Sequence, residues 1–354
     1  MKTIKIEELK EFSKKALLWK GVSPEDAETT VNALVTTDMF GVLSHGTKNL
    51  YQYILKMEKG GLDPQAVPEV EAEGPAWALI NGNAAIGMVS ACKAMDLAIE
   101  KAKACGIGYV GVKNSCHFGA AGYYANRAAK AGLMGISMSN ADPNMSIPNS
   151  CAVALGNNPF SFAAPLKNGK SVFLDIALSN VAALKVVMAK EKGISVPDSW
   201  LIDSEGKPTT DPSDFPGGSF LQPMAAHKGY GLAIMVEILA SVLTGSGIMS
   251  DVTSWNLDLP AKNNAGHAFI AIDITKMMPA ELFEKRMMRM ITELKNAPKA
   301  KDAERILVPG EMEWEKYELA EKRGYIELTD AMAENMEKLS ALTGIPVTVQ
   351  DKPE

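Results

Sequence analysis

The N-terminal segment carries the apolar spacing of amphipathic helices. Ile6, Leu9, Phe12 and either Leu17 or Leu18 fall on one side of a helix predicted over residues 4–20. A second helix starts at the Ser-Pro-Glu-Asp sequence from residue 23, where Ser suits the N-cap, Pro the first turn and the acids the positive end of the helix dipole. That helix is expected to end near residue 41, and a third covers residues 51–57 before a pair of glycines.

From residue 77 onward, strand-like and helix-like segments alternate. Runs rich in β-branched residues predict strands, and Ala-rich or 3.6-residue periodic runs predict helices. Alternation of this kind is typical of an α/β domain, and two further helices are expected after residue 311. The expected strands cover residues 77–82, 107–112, 133–139, 171–177 and 267–273, and the expected helices cover residues 88–105, 120–131, 180–192, 232–243 and 279–294.

Composition and charge narrow the function classes. The chain has 354 residues, 47% hydrophobic and 22% charged, as expected for a globular protein. A formal net charge of −6 argues against a nucleic-acid-binding surface. The N-terminus lacks the apolar core of a signal peptide, and the longest apolar stretch, residues 231–243, is interrupted by Glu237 and too short to span a membrane. Because the four cysteines form no CxxC pair, we expect a cytoplasmic protein with reduced thiols.

Histidine is scarce, which limits the candidates for proton transfer near neutral pH. Of four histidines, His45, His117 and His227 lie in short segments that contain glycine. Imidazole titrates near neutrality and can give and take a proton within one turnover. A single histidine of this kind is more often a hydrogen-bonded structural residue, but the three together favour a site centred on Ser44-His45-Gly46.

Three other kinds of site are weighed against the sequence. A literal GxGxxG at Gly106, Gly108 and Gly111 lies within a predicted strand rather than between a strand and a helix, which excludes a Rossmann dinucleotide loop there. Neither HExxH nor CxxC spacing is present, so no metal site is expected. Ser44 beside His45 leaves a Ser-dependent hydrolase as an alternative, although the Gly-x-Ser-x-Gly elbow is missing.

Two lysines lie in unusual settings. Lys228 precedes a Gly-Tyr-Gly sequence and a helix start, where an ammonium and backbone amides suit a phosphate, although a surface lysine explains it equally well. Lys185 interrupts an apolar helical stretch, where a lysine usually extends its charge to solvent. Neither lysine alone identifies a site.

Four separated segments together resemble one enzyme family. They are Ser44-His45-Gly46, the Asn-Ser-Cys-His-Phe-Gly sequence of residues 114–119, Asp175-Ile176-Ala177, and the His-Lys-Gly-Tyr-Gly sequence of residues 227–231. These segments are similar to the malate/L-lactate dehydrogenase family, which includes ureidoglycolate dehydrogenase, sulfolactate dehydrogenase and 2,3-diketogulonate reductase. The similarity extends over nearly the whole chain, including the Pro-Gly-Glu sequence of residues 309–311.

The resemblance implies an enzyme that uses NAD or NADP to interconvert a 2-oxo acid and a 2-hydroxy acid. It implies an α/β fold with a non-Rossmann coenzyme-binding lobe built on a large mixed or antiparallel sheet, and a helical lobe from the N- and C-terminal segments. Residues 71–259 are expected to form the NAD(P)-binding lobe, and residues 1–70 with about 260–354 the helical, substrate and dimerisation lobe. The expected partners are a small-molecule substrate and a second copy of the chain, with no nucleic acid and no membrane.

Residue roles carry over from the matching motifs. His45 is implied as the general acid/base, supported by Ser44, and His117 is the other catalytic candidate. Lys185 falls where the family often has a charged residue near the catalytic histidine. The matching positions assign the coenzyme to Asp175, Ile176, Ala177, His227, Lys228, Gly229, Pro309, Gly310 and Glu311.

One position departs from the family's pattern. Many relatives have an arginine where this chain has Asn49, with Lys48 beside it. A guanidinium binds a substrate carboxylate in a bidentate manner, whereas an amide supplies no charge. Either Lys48 takes over, or another cation does, or the substrate differs at that end, and we assign Lys48 and Asn49 to substrate binding. A family member that binds nucleotide without turnover is the alternative from another class.

Overall fold

The predicted N-terminal helices are present in the structure, a computed structural model that describes residues 2–352. Helix α1 spans Ile6–Trp19, α2 spans Pro24–Met39 and α3 spans Leu50–Glu58. The Ser23 hydroxyl accepts a hydrogen bond from the Asp26 amide at 3.1 Å, which confirms the predicted N-cap of α2. Helix α1 buries Ile6, Leu9, Phe12 and Leu17 of its predicted apolar side, whereas Leu18 is exposed.

A strand at the start of the chain ties its two ends together. β1 (Lys2–Lys5) occupies residues where a helix was expected from residue 4, and it pairs with two strands near the C-terminus, β14 (Tyr325–Leu328) and β15 (Gln350–Asp351). Helices α9 (Glu311–Arg323) and α10 (Asp330–Thr343) flank β14, and α10 shares a hydrophobic core with the three N-terminal helices. The helical lobe expected from the two chain ends is therefore confirmed.

A seven-stranded sheet organises the middle of the chain. Its strands are β2 (Glu69–Gly74), β3 (Trp77–Asn81), β4 (Ile107–Ser115), β5 (Met134–Ser139), β8 (Phe160–Pro165), β9 (Ser171–Ile176) and β13 (Ala265–Ile272). The spatial order is β2-β3-β4-β13-β5-β8-β9. Only β3 and β4 run parallel, and every other neighbouring pair is antiparallel. The large mixed sheet expected from the resemblance is confirmed.

Two Ala-rich helices cover one face of this sheet. α4 (Gly87–Cys105) and α5 (Ala121–Lys130) form a core with residues of β3, β4 and β13. Helix α4 approaches β4 so closely that a Cβ at Gly108 would lie 2.3 Å from the Ala98 carbonyl oxygen. Gly108 and Gly111 lie inside β4, so the GxGxxG sequence serves strand packing and forms no nucleotide loop, as predicted.

A smaller sheet and two helices cover the opposite face. The five-stranded sheet, in the order β11-β10-β12-β6-β7, shares a core with helices α6 and α7. Helix α7 starts before the predicted residue 232, so Lys228 lies in its first turn, and it continues into a π-helical turn, Ile238–Val242. These elements are β6 (Met145–Ser146), β7 (Val153–Leu155), β10 (Leu201–Asp203), β11 (Pro208–Thr209), β12 (Ser219–Leu221), α6 (Ala183–Glu191) and α7 (His227–Glu237).

Helix α8 (Ala280–Lys295), like α9, has no buried residue. It follows β13 closely and precedes the segment that leads to α9. Across residues 2–352, no helix has both the length and the apolar composition needed to cross a membrane.

Candidate active site

The turn between α2 and α3 presents the Ser-His-Gly motif. The carboxylate of Asp38, near the end of α2, accepts hydrogen bonds from the Thr47 amide at 3.0 Å and from the Thr47 hydroxyl at 2.5 Å. A Cβ at Gly46 would lie 1.8 Å from Asp38 Oδ1, so only glycine fits above the carboxylate. Burial raises the pKa of Asp38 to about 7. Gly46 and the buried Asp38 therefore pack together and fix the conformation of the turn that carries His45.

His45 is held in that turn by its neighbours. Its Nδ1 atom lies 2.8 Å from the Ser44 hydroxyl, and the Asn49 amide donates to the Ser44 carbonyl at 3.0 Å. Burial, and secondly the positive charge of Lys48, lower the pKa of His45 to about 4. The ring is therefore neutral at pH 7, and its Nε2 atom has no partner within residues 2–352.

His117 lies beside His45 in an aromatic enclosure. The two imidazole rings have centroids 5.6 Å apart. Nδ1 of His117 lies 2.6 Å from the Tyr53 hydroxyl, and its ring stacks on Trp255 with centroids 4.3 Å and planes 11° apart. Burial, followed by the charges of His45 and His267, lowers the pKa of His117 well below its usual value. Nε2 of His117, like that of His45, is left without a partner in the described part of the chain.

The enclosure is built by residues that sequence reasoning missed. Tyr53 lies one helical turn after Asn49 on α3, which is the only local signal for it. Trp255 lies on a distant loop that α3 holds in place. Buried Lys56 donates to the carbonyls of Asp258 and Ala261 at 2.9 and 2.6 Å, and so fixes the loop that carries Trp255.

Two of the predicted coenzyme segments contact β9, the strand that carries Asp175, or the residues just after it. The Phe173 amide donates to the Pro309 carbonyl at 3.2 Å. Gly310 has a φ of +86°, and a Cβ there would lie 2.4 Å from the Phe173 ring, so a glycine is required at this junction. The Met224 amide donates to the Leu178 carbonyl at 2.8 Å, which brings the segment before α7 beside the residues that follow β9.

Asp175 connects these segments to the histidines. Its Oδ2 atom accepts from the Gly122 amide at 2.8 Å, at the start of α5 and shortly after His117 in the chain. Burial raises the pKa of Asp175 to about 6, opposed by the Gly122 hydrogen bond. A Cβ at Gly119 would lie 3.5 Å from the His45 carbonyl oxygen, so the loop between His117 and α5 also touches the Ser-His-Gly turn. Asp175 and the two histidines therefore lie in segments that contact one another.

The other coenzyme candidates occupy the start of α7. His227 and Lys228 are both exposed in its first turn, and Gly229 is buried where a Cβ would lie 2.4 Å from the Met224 carbonyl oxygen. Two alanines before the helix, Ala225 and Ala226, have φ of +48° and +53°. Consecutive non-glycine residues in this region are strained, and such strain concentrates at functional sites.

Three other predicted site residues differ in their burial and in their partners. Lys185 is exposed on α6 and pairs with no acid among residues 2–352. Glu311 forms an ion pair with Lys295 and accepts from the Val308 amide at 3.1 Å. Lys48 is half-buried; burial lowers its pKa, and the nearby charge of Glu191 opposes that effect.

The geometry disfavours a nucleophile at either histidine. Ser44 contacts Nδ1 of His45, and no carboxylate in the described residues binds the other nitrogen, which a Ser-His-Asp arrangement needs. Cys116, next to His117, is buried, and burial raises the pKa of its thiol to about 11. Within residues 2–352, no group of three or more His, Cys, Asp or Glu side chains is arranged to hold a metal ion.

Comparison with known proteins agrees with the motifs. Residues 4–337 match the family model described as Malate/L-lactate dehydrogenase. Malate dehydrogenase from Pyrococcus abyssi is 40% identical over 312 residues, or 86% of this chain and 85% of that protein. L-sulfolactate dehydrogenase from Methanocaldococcus jannaschii is 36% identical over 86% of this chain and 87% of that protein.

Among solved structures, malate dehydrogenase from Entamoeba histolytica superposes with a TM-score of 0.92 at 30% identity. The match covers 98% of this chain and 99% of that one, so the likeness extends over nearly the whole fold. The chain belongs to the malate/L-lactate dehydrogenase family, which confirms the resemblance seen in its motifs.

Proposed function

We propose that this protein is an NAD(P)-dependent dehydrogenase that interconverts a 2-oxo acid and a 2-hydroxy acid. The observation that carries the proposal is the imidazole pair, whose centroids lie 5.6 Å apart and whose Nδ1 atoms are both engaged. This arrangement directs proton transfer to the two Nε2 atoms. Malate and sulfolactate, the compounds in the relatives' names, are 2-hydroxy acids, which supports this substrate class.

The residues around Asp175 fit a nicotinamide dinucleotide. One carboxylate oxygen of Asp175 is bound by Gly122, and the other has no partner within residues 2–352 and suits a ribose hydroxyl. The exposed ammonium of Lys228, in the first turn of α7, suits a diphosphate. When bound, the nicotinamide ring supplies the hydride or receives it.

The imidazoles handle the proton that accompanies the hydride. During reduction a developing alkoxide takes a proton from Nε2–H, and during oxidation a neutral Nε2 takes it back. A histidine that accepts a proton at Nε2 carries its hydrogen on Nδ1, so His45 donates to the Ser44 oxygen and His117 to the Tyr53 oxygen. We assign His45 as the principal acid/base, with His117 as the second candidate. The lowered pKa of each ring favours the neutral, proton-accepting form at pH 7.

Lys48 is the cation that we assign to the substrate carboxylate. It lies half-buried, three residues after His45, close enough for its charge to lower that histidine's pKa. The Asn49 amide binds the Ser44 carbonyl, so Asn49 acts on the substrate mainly through the turn that it holds. A lone ammonium in place of a bidentate guanidinium supports a substrate that differs from those of Arg-containing relatives at this end.

Exposed apolar side chains support a homodimer. On α8, Leu282, Met288 and Leu294 are 45%, 49% and 48% exposed, and Ile238 and Val242 of the π-helical turn are 50% and 53% exposed. If these side chains form one continuous apolar patch, a partner would be expected to cover it. Light scattering of the purified protein should give twice the mass of one chain, and a monomer at micromolar concentration would contradict the dimer.

The lobes and location are proposed on separate grounds. We assign the coenzyme to residues 71–259 completed by β13, because that strand pairs with β4 and β5. Residues 1–70 and the chain after β13 form the helical lobe, with the substrate and dimer contacts. Cys92, Cys105, Cys116 and Cys151 are free, which supports a reducing, cytoplasmic location.

The activity test uses the purified protein with NADH or NADPH and a panel of 2-oxo acids. Pyruvate, oxaloacetate, 3-sulfopyruvate and larger 2-oxo acids should be compared by the loss of nicotinamide absorbance. We expect turnover of at least one acid. Coenzyme binding by calorimetry without turnover of any acid would contradict the proposal and favour the non-catalytic alternative.

A further inference from the structure

His267 is a buried histidine that the proton-transfer scheme does not use. It lies on β13, near the centre of the large sheet, and is 0% exposed. Nδ1 lies 2.8 Å from the Ser139 hydroxyl, and Nε2 lies 3.2 Å from the Cys116 carbonyl oxygen. A buried imidazole with partners at both nitrogens is held in one orientation.

The partners define which nitrogen of His267 carries the hydrogen. A carbonyl oxygen only accepts, so Nε2–H donates to Cys116. Burial lowers the pKa of His267 to about 3, so the ring is neutral at pH 7. Nδ1 faces the Ser139 oxygen, whose hydroxyl also contacts the Asn140 and Gly266 carbonyl oxygens at 2.7 and 3.2 Å.

The Cys116 carbonyl belongs to the peptide group that leads into His117. Because a peptide group is planar, fixing its oxygen also fixes the orientation of the bond to the next residue. The His267 ring also stacks on Phe118, with centroids 4.6 Å and planes 8° apart. From another direction, a Cβ at Gly87 would lie 2.3 Å from both the Cys116 and the His117 carbonyl oxygens, so α4 closes against the same backbone.

We propose that His267 is a positioning residue for His117. Through the Cys116 carbonyl and the Phe118 ring it holds both sequence neighbours of His117, and so sets the direction in which Nε2 of His117 points. The proposal rests on the proposed function, in which His117 lies beside the substrate. Misplacing a reacting group by about 1 Å lowers the rate on the order of a hundredfold. The hydrogen bond from His267 to the Cys116 carbonyl should therefore affect turnover although it does not touch the substrate.

Two substitutions separate the hydrogen bond from the packing. His267→Phe keeps a ring against Phe118 and removes the donor, whereas His267→Gln keeps a donor of similar reach. We expect His267→Phe to lower kcat about tenfold or more with the KM for coenzyme unchanged, and His267→Gln to retain most of kcat. Phe269→Leu, a change in the same strand and core, is the packing control. Equal losses in all three variants would overturn the proposal.

A spectroscopic measurement keeps this test independent of the reaction. The nitrogen-edited NMR signals of the His117 ring should shift in His267→Phe and stay in place in Phe269→Leu. If the unaltered protein turns over no 2-oxo acid, the proposed function fails, while these signals still report on positioning. Ser139→Ala removes the hydroxyl that contacts Nδ1 and the Asn140 and Gly266 carbonyls, and leaves the Nε2 hydrogen bond to Cys116 in place. It should give a smaller shift and serves if His267→Phe does not fold. Unchanged His117 signals in the folded variants would overturn the proposal.

Discussion

The hydroxyl oxygen of Tyr53 lies 2.6 Å from Nδ1 of His117. Tyr53 comes from α3 in the helical lobe, and His117 follows β4 of the large sheet, so the bond joins the two parts of the chain. Burial raises the pKa of Tyr53 well above its usual value, so the phenol keeps its proton. With Nδ1 held in this way, only Nε2 of His117 is left to exchange a proton with a substrate.

Removing the Tyr53 hydroxyl should therefore slow turnover. Tyr53→Phe loses one buried hydrogen bond of about 1.4 kcal/mol, which corresponds to a roughly tenfold lower kcat. The KM for coenzyme should stay unchanged, because Tyr53 touches none of the proposed coenzyme segments. Tyr51→Phe on the same helix is the matched control. Steady-state kinetics showing equal, small effects for both variants would contradict the role given to Tyr53.

The two candidate acid/base residues can be distinguished by substitution. His45→Gln should lower kcat roughly a hundredfold or more, because the developing alkoxide loses its proton donor. His117→Gln should cause a smaller loss if His117 only orients the substrate. The measurement is single-turnover reduction with each variant and with the double variant. A near-normal rate for His45→Gln, together with a large loss for His117→Gln, would transfer the acid/base role to His117.

Lys48 is expected to bind the substrate carboxylate and to lower the pKa of His45, and the Lys48→Met variant tests both effects. Lys48→Met should raise the KM for the 2-oxo acid at least tenfold with a smaller change in kcat, because the substrate carboxylate loses its cation. It should also raise the pKa of His45, because a like charge that lowers that pKa is removed. Reduction requires the protonated histidine, so its decline with increasing pH should move to higher pH in the variant. Lys59→Met, the loss of an exposed lysine just after α3, is the control and should change neither quantity.

An unchanged KM in Lys48→Met would remove Lys48 from the substrate site. In that case the carboxylate is bound by another cation, and Asn49 cannot replace it because its amide is already engaged with Ser44. A raised KM without a shift in the pH profile would keep the substrate contact and reject the coupling to His45.

Local sequence patterns predicted much of the fold because they report directly on burial. The stripe of α1, the Ser23 cap of α2 and the alternation of β13 were all visible in short windows. The short strand β1 was missed because its partner β14 lies at the other end of the chain, and a four-residue strand has little periodicity of its own. Its pairing depends on a tertiary contact that no window contains.

Some site residues were likewise predicted from the sequence, and others became visible only in the structure. Motifs supplied His45, His117 and Asp175, whose neighbours in sequence are unusual enough to recognise. Tyr53 and His267 carry no motif, although they bind the His117 ring and the carbonyl before it. Sequence spacing indicates which side of an element is buried, but not which two buried sides meet, so partners of this kind appear only when the chain is folded.

The buried acid under the Ser-His-Gly turn leads to a prediction about stability. The pKa of Asp38 is about 7 in the folded protein, against about 3.9 for an unfolded chain. Between these values the folded state keeps a proton that the unfolded state has lost, so the contribution of Asp38 is fully present below about pH 4 and is lost as the pH rises to 7. Above pH 7 the fold encloses a carboxylate whose Oδ1 atom has no hydrogen-bond partner in the described structure.

Asp38→Asn should therefore be more stable than the unaltered protein at pH 8 and lose that advantage by pH 5. The amide is close in shape and keeps an oxygen for Thr47, but it has no charge to bury. The difference in unfolding free energy should change by up to about 1.4 kcal/mol per pH unit between pH 4 and 7, and then level off. Urea unfolding at pH 5, 6, 7 and 8 measures it, and Asp302→Asn at an exposed position controls for net charge. The unfolding free energies of the two proteins change differently with pH only if folded Asp38 retains its proton. A difference that does not vary with pH would therefore show that Asp38 stays ionised in the fold.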